Sequence, residues 1–142
     1  MPIPMEYQHT SEDFERFLAD ARDTSGLTTR NQTYTMVDGV LRTFRRRLTL
    51  AEAIAFAQVL PPVLRAMFVQ DWTPDAAPLP FTDRASLTRE VQGLRPHHNF
   101  APETSIADVA AALRRATDGA ALDAVLARLP LGAADFWRAD PA

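Results

Sequence analysis

An internal duplication constrains this chain more than any other feature of its sequence. The phrase Val37-x-x-Val40-Leu41-Arg42 returns 72 residues later as Val109-x-x-Ala112-Leu113-Arg114. Gln58-Val59-Leu60-Pro61 is answered by Ala127-Arg128-Leu129-Pro130, and Met67-Phe68 by Phe136-Trp137, both at an offset of 69. A loop-sized indel between well-matched segments is how a duplicated unit diverges. Two copies alone predict a closed, pseudo-symmetric bundle, because an open solenoid needs more repeats to bury its faces. The expected organisation is a first repeat over 1–70, a Pro-rich connector over 71–80 and a second repeat over 81–142, packed as one unit.

Each copy reads as helical. Thr10-Ser11-Glu12-Asp13 sets a hydroxyl three residues before a carboxylate, a variant of the capping box. Phe14, Phe17, Leu18 and Ala21 then share one face, and Gly26 closes the helix. A second helix is predicted from about Thr29 to Arg47, with Val37, Val40, Leu41, Phe44 and Leu48 inward and Arg42, Arg45 and Arg46 outward. Thr49 and Glu52 form a capping box for a third helix, in which Ile54, Ala57 and Leu60 are expected to face inward. Pro61 and Pro62 end that helix and suit the first turn of a fourth, carrying Leu64, Met67 and Phe68.

The second half follows suit. Leu87, Val91 and Leu94 mark a fifth helix, and Pro96-His97-His98-Asn99 a loop. Ile106, Val109, Leu113 and Ala116 mark a sixth helix. Asp118 caps a seventh bearing Leu122, Val125, Leu126 and Leu129, and a short last helix carries Phe136 and Trp137. No run alternates in the β-strand manner. The fold expected is therefore all-α, about eight helices in two pseudo-repeats packed as a compact helical bundle. Phe14, Phe17, Leu41, Phe44, Ile54, Leu60, Phe68, Leu113, Val125, Leu129 and Phe136 are its expected core.

Composition removes several kinds of chemistry. There is no cysteine, hence no disulfide, thiolate nucleophile or zinc-finger ligand. All 15 basic residues are arginine, which removes a Schiff-base lysine and the lysine of a phosphate-binding P-loop. No apolar stretch approaches the roughly 20 residues of a membrane span, and no export signal is evident. A cytoplasmic location is expected. The net charge of −3 does not suggest a dedicated nucleic-acid binder.

The order of elements, the helix Val37 to Arg47, the phrase from Leu60-Pro61-Pro62 to Met67-Phe68 with its Asp71-Trp72-Thr73-Pro74 turn, and the closing Leu129-Pro130 to Phe136-Trp137 together resemble DUF2267, a bacterial family of unknown function. The resemblance covers about Glu12 to Trp137. It implies an all-helical, two-repeat bundle, and it brings no activity or cofactor.

Four features could carry chemistry. Arg42, Arg45 and Arg46, with Arg47 beside them, could grip phosphates or a partner's carboxylates. An acidic first helix beside this basic second helix instead suggests a solvated or salt-bridged seam, which is the favoured reading. His97 and His98 could both ligate a metal, but only His9 remains as a further histidine; an exposed or capping loop is favoured. Trp72 either locks the connector onto the bundle or offers an aromatic anchor to another protein. Arg65, in the Leu60–Phe68 phrase, is a further candidate binding residue. No nucleophile motif, glycine-rich phosphate loop or calcium loop occurs, so no catalytic residue, metal ligand or cofactor is assigned. The function expected is a non-enzymatic protein-interaction or regulatory module that binds a partner or small ligand between the repeats. The alternative is an enzyme or metal-dependent binder using the His97-His98 loop. Apolar content beyond what this core needs would support a dimer, and the oligomeric state stays open.

Overall fold

The computed structural model describes residues 2–74 and 76–140; residue 75 of the connector and residues 1, 141 and 142 lie outside them. Among the described residues there are nine helices and no strand: α1 (Met5–Gln8), α2 (Thr10–Ser25), α3 (Arg30–Arg45), α4 (Leu50–Ala57), α5 (Pro62–Val69), α6 (Arg84–Gln92), α7 (Ser105–Ala116), α8 (Gly119–Leu126) and α9 (Ala133–Phe136). The helix expected as the first is the second, because an extra turn follows Pro4.

Local chemistry sets most helix ends. Thr49 Oγ1 accepts from Glu52 N–H while the Glu52 carboxylate accepts from Thr49 N–H. Thr29 and Gln32 close a second capping box of the same kind. Asp118 accepts from the N–H groups of Ala120 and Ala121. Pro62 occupies the first turn of α5, where its missing N–H costs nothing. Gly26 adopts φ 78°, the left-handed conformation that ends α2. Thr10 is not the cap expected of it. His9 holds that position, and Thr10 lies inside α2 with its hydroxyl buried and without a hydrogen-bond partner among the described residues.

Helix α3 is the axis of the molecule, buried along most of its length from Thr33 to Arg45. It packs on α6, while α2 packs along α7 and α4 meets α8. Phe44 is the hub of the core. Its ring lies 4.7 Å from Phe56, 5.0 Å from Phe136, 5.5 Å from Trp137 and 5.9 Å from Phe81, at tilted or edge-on angles that suit aromatic quadrupoles. Phe17, Leu41, Leu60, Phe68, Leu113, Val125 and Phe136 are buried as expected. Phe14 and Leu129 pack on the core while half-buried. Ile54 corrects the expectation: it is 53% exposed, and α4 turns Ala53 and Phe56 inward beside Ala57, which is buried as expected. Two turns of helix admit either phase, and Phe56 takes the core because it reaches the Phe44 cluster.

Among the arginines expected to face outward, Arg46 is exposed and Arg42 is salt-bridged, while Arg45 corrects the expectation. Arg45 is only 6% exposed, and its guanidinium donates to Phe68 O at 3.0 Å and Gln70 O at 2.9 Å, capping the end of α5. The same guanidinium lies over Trp72, 5.4 Å from the ring centroid. Arg47 is equally buried and donates to Thr43 O, Pro80 O and Glu90. Arg42 binds Asp38 and Asp71. The acids expected to oppose them are engaged elsewhere, Asp20 with Arg115 and Glu15 with Arg30. Guanidinium groups are long, planar donors that satisfy helix-end carbonyls from a neighbouring element, and this chain uses them repeatedly. Arg65 bonds Ala57 O and Leu60 O behind α4; Arg114 and Arg84 bond carbonyls at the end of α9.

Candidate functional site

The principal cavity follows from how three segments meet. On α2, Thr10, Asp13, Phe14, Phe17 and Asp20 recur at helical spacing and form one wall. The second wall is the bend between α4 and α5, where Pro61 is extended (φ −59°, ψ 157°) and Pro62 restarts the helix, so the chain from Val59 to Leu64 turns its side chains toward α2. The third is the corner between α7 and α8, from Arg115 to Asp118. Together they enclose an open cleft of about 710 Å³, within the range of ligand pockets.

Its floor is continuous with the core, since Phe17, Leu60 and Leu64 are buried. Its rim is charged. Arg115 Nε and Nη2 both reach the Asp20 carboxylate at 2.8 Å, and Arg115 Nη2 also reaches Thr24 Oγ1. The hydrogen bond from Arg115 holds the Asp20 carboxyl below the ordinary aspartate range, against the partial burial that would raise it. Arg16 binds Asp13 at 3.0 Å. Both rim arginines are thus neutralised by rim acids; of the other two acids in the lining, Glu6 lies 3.9 Å from Arg65, and Asp118 caps α8 and makes no ion pair among the described residues. The unpartnered Thr10 hydroxyl belongs to the same lining.

The residues singled out in the sequence lie mostly elsewhere. Arg65 alone stands at the cleft's edge: it braces the bend through Leu60 O and ties the N-terminal turn to it through Tyr7 Oη at 3.4 Å and Glu6 at 3.9 Å. Arg42 and Arg46 line a different hollow between α3 and α6. Arg45 and Trp72 stack together at the end of α5, the lock expected of the connector. His97 and His98 are exposed in the loop after α6, and among the described residues no group of three His, Cys, Asp or Glu is arranged to hold a metal ion. Sequence reading missed the cleft's own residues, of which the Leu60-Pro61-Pro62 bend was the visible signal.

Fold and cleft together define an all-helical protein with an open, apolar-floored, acid-rimmed interhelical site. The chain belongs to the DUF2267 family of uncharacterized conserved proteins, whose family model matches residues 14–136. No curated protein matches the chain. Among the described residues no helix is long and apolar enough to cross a membrane.

Proposed function

We propose that the protein is a non-enzymatic interaction module that seats a cationic, amphipathic helical segment of a partner protein in this cleft. The observation that carries the reading is the combination of a core-continuous apolar floor with a rim whose arginines are already spent on acids. A helix laying Leu-type side chains on Phe14, Val59 and Val63 would present Lys or Arg to Asp118, and to Glu6 in competition with the distant Arg65. Met5 and Tyr7 beside the mouth are largely exposed and extend the apolar surface. With no cysteine to oxidise, a cytoplasmic setting suits such a module.

The same reading treats the protein as two copies of one unit, α2–α5 and α6–α9. In its favour, α4 and α8 are both eight residues long and capped at Thr49 and Asp118. The pairing of α2 with α7 becomes that of α6 with α3 when the copies are exchanged.

Heteronuclear NMR with two designed helical peptides, one of Leu and Lys and one of Leu and Glu, tests the binding. The Leu/Lys peptide is expected to shift amides of α2, the 59–64 bend and residues 115–118, with Val63→Asp abolishing the effect. Equal binding of the Leu/Glu peptide, or shifts confined to other surfaces, would refute the reading.

A further inference from the structure

A second hollow lies between α3 and the end of α6 and shares no lining residue with the cleft. Its volume is about 310 Å³; Gly39 and Arg42 of α3 and Arg46 just past its end line one side, and Glu90, Gly93 and Arg95 line the other. Gly39 lets the two helices meet closely at its edge: a Cβ there would stand 2.9 Å from the backbone oxygen of Val91.

The charges facing this space are unequally spent. Arg42 is held by Asp38 at 2.9 Å and by Asp71 at 3.4 Å. The Glu90 carboxylate is engaged by the buried Arg47. Arg46, 48% exposed, approaches Glu90 only to 3.6 Å, and its guanidinium makes no hydrogen bond among the described residues. Arg95 forms no ion pair among the described residues. Two guanidiniums on opposite walls are therefore left with donors to offer.

Arg95 also sits where arginine is conformationally costly. Leu94 N–H bonds Val91 O to finish the last turn, and Arg95 then takes φ 51°, the left-handed position at which glycine usually ends a helix. Asn99 Nδ2 donates to Val91 O and Leu94 O, which pins this turn in place. Strain held at one residue by its surroundings is a mark of functional positions.

From these observations we propose that the hollow binds a small phosphate-type dianion, gripped by Arg46 and Arg95 from opposite sides with Arg42 behind them. Planar guanidiniums bind phosphate oxygens through paired N–H groups, and Glu90, neutralised by Arg47, does not oppose the ligand's full charge.

Titration of the whole protein with inorganic phosphate at constant ionic strength, followed by NMR, tests this. Saturable shifts are expected at the amides of Gly39, Gly93 and Arg95. Arg46→Ala and Arg95→Gly should each weaken binding at least about tenfold, the loss of one charged hydrogen-bonded contact, while Arg89→Ala on the outer side of α6 leaves it unchanged. Arg95→Gly should melt no lower than the parent, which separates lost binding from lost fold. Phenyl phosphate binding more tightly than the free ion would assign an organic phosphate, and the reverse the free ion; either supports the site. Shifts that do not saturate, or an affinity unchanged in either variant, would overturn it.

Discussion

Arg115 and Asp20, 95 residues apart in sequence, form a two-pronged ion pair that joins α7 to α2 at the rim of the cleft, both prongs at 2.8 Å. Because the carboxyl is held low chiefly by this hydrogen bond, the pair stabilises the fold at pH values above the ordinary aspartate range. The contribution is lost as the pH falls through the lowered native value. Both side chains are partly exposed, so screening keeps the effect small.

Asp20→Asn is accordingly expected to cost under about 1 kcal/mol at neutral pH. The deficit should shrink in high salt, begin to fall as the pH drops to about 4, and vanish only below the lowered native value. Urea unfolding of the two proteins across that range measures it.

Replacing Arg45 should cost more. Arg45→Met leaves Phe68 O and Gln70 O without their donor and strips the cation from Trp72, a loss of about 2–3 kcal/mol. Lysine cannot bridge two carbonyls and stack at once, so Arg45→Lys should recover less than half of it. The urea midpoints of the three proteins give the ranking.

Glycine to alanine inside a helix normally stabilises by up to about 1 kcal/mol. At Gly39 the sign reverses. The new methyl would meet Val91 O at 2.9 Å and Val91 Cγ1 at 3.1 Å, forcing α3 from α6 at a cost of about 1–3 kcal/mol. Gly119→Ala, where nothing lies within 4 Å of the added carbon, is the control and should be neutral or stabilising. Thermal melts of the two variants distinguish the cases.

Trp137 is fully buried among Phe44, Phe56 and Phe136, yet its indole N–H has no acceptor among the described residues. An unpaired buried donor costs about 1–3 kcal/mol, and Trp137→Phe removes it together with some packing. The two terms oppose, so the net loss should stay below about 1.5 kcal/mol, against about 3–5 kcal/mol for Trp137→Ala. Chemical denaturation followed by far-UV circular dichroism reads both.

What could be read from sequence was whatever nearest neighbours decide. Thr49 with Glu52, Asp118, Pro62 and Gly26 announce their helix ends because each acts on backbone groups within a few residues. Ile54 misled because a two-turn helix has no unique apolar face until the Phe44 cluster selects Phe56. Arg45 misled for a related reason: its charge pattern reads as solvent-facing, while the carbonyl that buries it lies 23 residues on. Beyond the Leu60-Pro61-Pro62 bend the cleft was hidden, since Phe14, Pro61 and Arg115 share no local pattern and meet only once α2, α5 and α7 have packed.

The crossed pairing of helices bears on how the chain acquires its structure. Helix α2 finds its main support in α7 and α3 finds its in α6, so the first half of the chain cannot complete its burial until the second is made. On a ribosome, Asp20 must wait 95 residues for Arg115, about 5–20 s at ordinary elongation rates. Throughout that interval the part of the α2 face that α7 covers stays open, although α3 and α5 can already pack on the rest, and nascent chains crowded on one message would be at greatest risk of associating through it.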